Sequence, residues 1–134
     1  KMLRGVFSKG MEALILELLV AGLRAGIADE LWEDVRGFML ENPFDAVASN
    51  WVRTHPAACE RRYHELSQIV ETLRESGLNP LMTMAAEAFF ERSRGAGLPG
   101  AFPAKPETMR EVAAWLEKRL GVIAPAAACA AKDR

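Results

Sequence analysis

The sequence predicts an all-α fold, a multi-helix bundle around one long, buried N-terminal helix. Three observations predict it. Apolar residues recur three and four apart along most of the 134 residues, which is the spacing of one helix face. No alternation of apolar and polar residues runs long enough to read as a strand. Polar residues stand directly before proline at Asn42-Pro43, His55-Pro56 and Asn79-Pro80, and a cap followed by a first-turn proline is a helix start.

Residues 1–26 form the organising helix. Leu3, Phe7, Gly10, Leu14, Leu18 and Ala21 make one stripe, and Met2, Val6, Ala13, Leu16, Val20 and Leu23 widen it. So wide an apolar surface calls for neighbours on several sides. Gly26 is the expected stop. Residues 28–41 follow, with Leu31, Val35, Phe38 and Met39 inward and Asp29 and Glu30 at the dipole-favoured start. A short helix is expected over 44–53. A longer one runs over 57–76, with Tyr63, Leu66, Ile69, Val70 and Leu73 on its core side and Gly77 as its stop. Asn79-Pro80 opens a helix to about residue 94, with Met84, Ala88 and Phe89 inward. A glycine- and proline-rich loop over 95–105 leads to the last helix, opened by Pro106-Glu107 and carrying Met109, Val112 and Leu116. That makes about six helices over residues 1–120, with 121–134 as an alanine-rich loose tail.

Composition narrows the class. A chain of this length is one domain with room for a core. The net charge of −1 gives no reason to expect nucleic acid or an anionic membrane as partner. Cys59 and Cys129 are far apart and suggest neither a disulfide framework nor zinc, which favours a reducing, cytoplasmic setting. The apolar run 11–23 is too short to span a bilayer and contains Glu12 and Glu17.

The polar residues of the first helix carry more information than its apolar ones. Lys1, Arg4, Ser8 and Glu12 share a face that continues as Ile15, Leu19 and Gly22. One reading is a frayed, hydrated start; the other is a short polar site at the head of a buried helix. Arg61, His64, Glu65, Gln68 and Thr72 form the polar side of the long helix, either as a solvated face or as the second wall of that site. An arginine there would suit bidentate recognition of a carboxylate or phosphate. His55 and His64 are the only histidines, and no cluster at ligand spacing suggests a metal. Gly95-Ala96-Gly97-Leu98-Pro99-Gly100 matches the glycine pattern of dinucleotide loops. A helix precedes it instead of a strand, so a plain loop is expected. Gly5, Gly10 and Gly22 leave room for a close helix neighbour or a subunit contact.

The opening Lys1-Met2-Leu3-Arg4-Gly5-Val6-Phe7-Ser8-Lys9-Gly10 resembles the start of the all-helical C-terminal domain of the β-hydroxyacid dehydrogenases. That superfamily includes 6-phosphogluconate dehydrogenase and 3-hydroxyisobutyrate dehydrogenase, and the resemblance is to a less characterised 6-phosphogluconate dehydrogenase-like branch. There a catalytic lysine begins the long helix, followed after three residues by an asparagine. Lys1 matches the lysine, and Gly5 stands in place of the asparagine. Arg4 replaces a histidine or asparagine, and Ser8 replaces the glutamate of 6-phosphogluconate dehydrogenase, which argues against that substrate. The family's lysine-aspartate-leucine motif, thirteen residues before a terminating glycine, falls on His64-Glu65-Leu66 before Gly77.

The resemblance covers about residues 1–120. It implies a substrate-binding and dimerising domain of an NAD- or NADP-dependent oxidoreductase acting on a small hydroxy acid. The dinucleotide would be bound mainly by an N-terminal Rossmann domain expected before Lys1 and outside these residues. Lys1 is then the expected proton relay at the substrate hydroxyl, with Arg4, Ser8 and Glu65 lining the substrate and His64 or Arg61 joining them. Arg4, one turn on, would favour the neutral amine that such a relay needs. The rival expectation is a non-catalytic helical dimerisation or interaction domain.

Overall fold

The computed structural model describes residues 2–120. Lys1 and residues 121–134, with the expected loose tail, lie outside them. Among the described residues there are five α-helices and no strand. They are α1 (Met2–Ala25), α2 (Ala28–Glu41), α3 (Phe44–Glu75), α4 (Leu81–Gly95) and α5 (Met109–Leu120).

The expected helix break at His55-Pro56 is corrected: α3 runs through it as one helix. Proline removes the donor that would meet the Val52 carbonyl and crowds the preceding turn, and side chains add bonds to neighbouring groups of that turn. Thr54 Oγ1 donates to the Asn50 carbonyl at 2.7 Å. Arg62 donates to the Trp51 carbonyl at 3.1 Å and to Thr54 Oγ1 at 2.8 Å. The two expected helices are therefore one, and these bonds bracket the proline within it.

The core lies where α3, α4, α5 and the loop after α4 meet. Cys59, Leu98 and Val112 are essentially fully buried there, with Ser93, while Pro80 is buried at the other end of α4. Leu98 comes from the glycine-rich loop. Its amide bonds the Ser93 carbonyl at 3.1 Å, and that of Gly97 bonds the Arg94 carbonyl at 2.9 Å, which closes the end of α4. Arg53 Nε donates to the Pro106 carbonyl at 2.7 Å and ties the rest of the loop to α3. Thr108 and Glu111 cap α5 reciprocally: the Thr108 amide reaches Glu111 Oε2 at 2.7 Å, and the Glu111 amide reaches Thr108 Oγ1 at 3.3 Å.

The long first helix forms as expected, but its expected burial is a second correction. Of α1 only Gly22 is buried within this chain. A Cβ there would lie 2.9 Å from Ala28 Cα and 3.1 Å from Leu31 Cδ2, so α2 packs directly on that glycine. Two polar clamps fix the rest. The Glu17 carboxylate accepts the amides of Met82 at 2.7 Å and Thr83 at 2.8 Å, and the Thr83 hydroxyl at 2.6 Å. It caps α4 from another helix, where the first amides have no partner of their own. Arg24 donates to the Ser76 carbonyl at the end of α3, at 3.0 Å. Met2, Leu3, Val6, Phe7, Leu16 and Leu23 remain exposed. Their spacing made the helix; it did not specify whether the cover belongs to the same chain.

Candidate functional site

The expected site residues divide into two separate places. At the head of α1, Arg4 and Ser8 are exposed, and the Ser8 hydroxyl donates to the Gly5 carbonyl at 3.4 Å, a weak local bond. Lys1 lies outside the described residues. On α3, Arg61 and Glu65 form an ion pair across one turn, and His64 Nε2 lies 3.3 Å from Glu60 Oε1. The other oxygen of Glu60 accepts Arg94 Nε at 2.7 Å, and Arg94 stacks on the Tyr63 ring at 4.3 Å. Arg94, first of all by its hydrogen bond, outweighs desolvation and holds the Glu60 carboxyl below its ordinary range. Arg61, His64 and Glu65 are thus already engaged on the α3 surface. Among the described residues no hydrogen bond or ion pair joins them to Arg4 or Ser8.

A groove of about 490 Å3 runs beside Glu65, lined by Gln68, Ile69, Thr72 and Leu73. Ile69 and Leu73 also line a second hollow of about 300 Å3, against Leu14, Leu18 and Ala21 of α1. The polar wall of α3 therefore opens toward the middle of α1, beyond its polar head.

Sequence reasoning missed a further cavity. It measures about 680 Å3 and is walled mainly by Trp51, Val52, Leu66, Phe89, Phe90 and Leu116, with His55 and Arg62 as its polar members. His55, expected at a helix cap, lies inside α3 and is 7 % exposed. Its Nε2 is 3.1 Å from Ser93 Oγ on α4, and its ring meets Phe90 edge-on at 4.6 Å. Ser93 gives its proton to the Phe89 carbonyl at 3.0 Å, so the neutral imidazole donates to the serine oxygen. Burial first, and then the positive Arg62, push the imidazole below its ordinary value. The serine is fully buried and its proton is committed, so this pair fixes α3 to α4 and is no nucleophile and base. The available signal was the apolar face: His55 follows Trp51 and Val52, and Ser93 follows Phe89 and Phe90, each by one turn or less.

Among the described residues no group of histidine, cysteine or acidic side chains forms a metal cluster, and no helix is long and apolar enough to cross a membrane. Burial pushes the Cys59 thiol up, with Glu60 adding to the effect, so it stays protonated.

A family model described as domain of unknown function DUF1932 matches residues 23–93, just over half of the chain. The chain belongs to this family. The DUF1932 match runs from the end of α1 to Ser93, so it includes the His55–Ser93 pair and the Glu65 groove and leaves out Arg4 and Ser8. No curated protein and no solved structure matches the chain.

Proposed function

We propose that this chain is the helical substrate-binding and dimerising domain of an NAD- or NADP-dependent oxidoreductase that acts on a small hydroxy acid. The observation that carries this reading is DUF1932 membership, since that domain is of the helical C-terminal type found in 6-phosphogluconate dehydrogenase-like proteins. The resemblance of the Lys1 segment and of His64-Glu65-Leu66 to the dehydrogenase motifs supports it.

The described residues contain no strand–loop–helix unit to hold a dinucleotide. The Gly95–Gly100 stretch follows a helix and buries Leu98 in the core. In this reading the nicotinamide is held by a separate Rossmann domain, and this chain supplies the acid's side of the site. There Lys1 takes the proton of the substrate hydroxyl as the carbonyl forms, and returns it in the reverse direction. Arg4 and Ser8, on the same head of α1, bind and orient the acid; Glu65 stands apart on α3, paired with Arg61.

In the full-length protein, NAD and NADP are to be tried against a panel of small hydroxy acids. Turnover is expected with at least one pair. Lys1→Met should abolish it while cofactor binding is unchanged, and retained turnover removes the relay role. The second reading, a non-catalytic assembly domain, is favoured by the open apolar face of α1. It gains if no acid is turned over with either cofactor.

A further inference from the structure

The cavity walled by α3, α4 and α5 lies apart from the hydroxy-acid site proposed above. Its member from α1 is Leu14, about 9 Å beyond Ser8 along the helix axis. Its volume of about 680 Å3 has room for a small organic molecule. Its walls are largely rings. Trp51 and Phe89 line it while 50 % and 43 % exposed, with Phe90 beside them. Large aromatic side chains left half in water around a concave surface mark a place for an apolar partner. Ring faces and edges favour another flat ring, stacked offset or met edge-on. Charge narrows the class further. No aspartate or glutamate lines the cavity. Arg62 does, half-buried, and among the described residues it forms no ion pair. Its two hydrogen bonds go to uncharged oxygens, the Trp51 carbonyl and Thr54 Oγ1, which leaves three of the five guanidinium donors free. His55, the other polar member, commits its donor to Ser93, so Arg62 is the cavity's source of donors. Arg92, 5.2 Å from the centre of the Phe89 ring, adds positive charge beside it. A cation bordering an apolar cavity without a counter-ion favours an anion there.

We propose that this cavity binds an aromatic carboxylate, with a flat ring system seated among Trp51, Phe89 and Phe90 and the carboxylate on the free donors of Arg62. The planar guanidinium suits a carboxylate. The bonds that Arg62 already makes hold it in place, so little side-chain freedom is lost on binding. The ring touches α3, α4 and α5 together, and a ligand bound to the folded chain alone stabilises it by mass action. The site is additional to the one at the head of α1 and does not depend on it.

The test is titration calorimetry of the full-length protein with 2-naphthoate, 2-naphthol and octanoate. 2-Naphthoate should bind with a dissociation constant on the order of 100 μM, the range open to so small a ligand. 2-Naphthol has the ring without the charge and octanoate the charge without the ring. Each should bind at least about tenfold more weakly. Arg62→Gln should weaken 2-naphthoate about tenfold and leave 2-naphthol unchanged, a split that a merely structural arginine does not give. Ala113→Trp fills the cavity from its exposed rim, keeps every polar group, and should abolish binding with unchanged helical circular dichroism. Octanoate bound as tightly as 2-naphthoate overturns the proposal, and so does 2-naphthoate bound equally well by Ala113→Trp. Absence of binding, the result if a second copy or another part of the protein fills the cavity, overturns it too. Turnover of hydroxy acids decides the dehydrogenase reading separately.

Discussion

Around His55 the α3–α4 pair closes on itself. An imidazole and a serine are buried together, Phe90 stands edge-on to the ring, and Leu98 seals the end of α4. Along α1, an equally apolar stretch of chain ends with most of its large side chains in water. The difference lies in where partners come from, since composition does not distinguish the two regions. α3 finds α4 within the same chain, joined by a short turn at Gly77. α1 is held by α2 at Gly22 and by the Glu17 and Arg24 clamps, all in its second half. In its first half Phe7 meets the Phe44 ring edge-on at 5.7 Å, while Met2, Leu3 and Val6 remain exposed. Apolar spacing therefore specifies the helix, and the contacts at Gly22, Phe7 and the polar clamps specify which part of it belongs to this chain's own core.

Substitutions can break the contrast. The largest effect is expected in the sealed region. Leu98→Ala should cost roughly 3 kcal/mol in urea unfolding, because a fully buried leucine leaves a cavity. Val6→Ala, in the open half of α1, should change the unfolding stability of the monomeric chain by less than about 0.5 kcal/mol. A comparable loss from both would erase the distinction. Next is Ser93→Ala, which strips the buried His55 nitrogen of its partner and should cost about 1–3 kcal/mol in the same assay.

The same pair predicts a pH dependence. The folded value of His55 is lowered, so the unfolded chain binds more protons just below the ordinary histidine value. Its contribution to stability is therefore full above about pH 6.5 and is lost as the pH falls toward the lowered value. Urea midpoints across that interval should drop for the native chain, and His55→Gln should flatten the drop. Glu17→Ala should cost about 1 kcal/mol, the usual loss on removing a helix cap. Its clearest readout is faster amide exchange at Met82 and Thr83.

Much of the fold was legible in the sequence. The extents of α1 and α2 and the approximate start of α4 follow from spacing and glycines, and Gly26 and Gly77 take the left-handed turns expected of helix stops. The expected caps do not hold: α3 and α4 start without a side-chain cap from Asn42 or Asn79, and α5 opens at Met109 behind Thr108, after Pro106-Glu107. Pro56 misled because its local surroundings imitate a capped start, whereas a proline can also lie inside a continuous helix, as it does in α3. Glu17 looked like a charge interrupting an apolar run, since nothing near it in sequence announces the amides of Met82 and Thr83. For the candidate site, the surface exposure of Arg61, His64 and Glu65 follows from their shared polar face. The His55–Ser93 pair joins positions 38 residues apart and was out of reach of any periodic argument.

Glu17 has one further consequence. A side chain of α1, most of whose large apolar residues are exposed, is the stopper of another helix's electropositive end. Whatever docks against α1 and shifts it also shifts that stopper, so the opening turn of α4 is a built-in gauge of how α1 is seated.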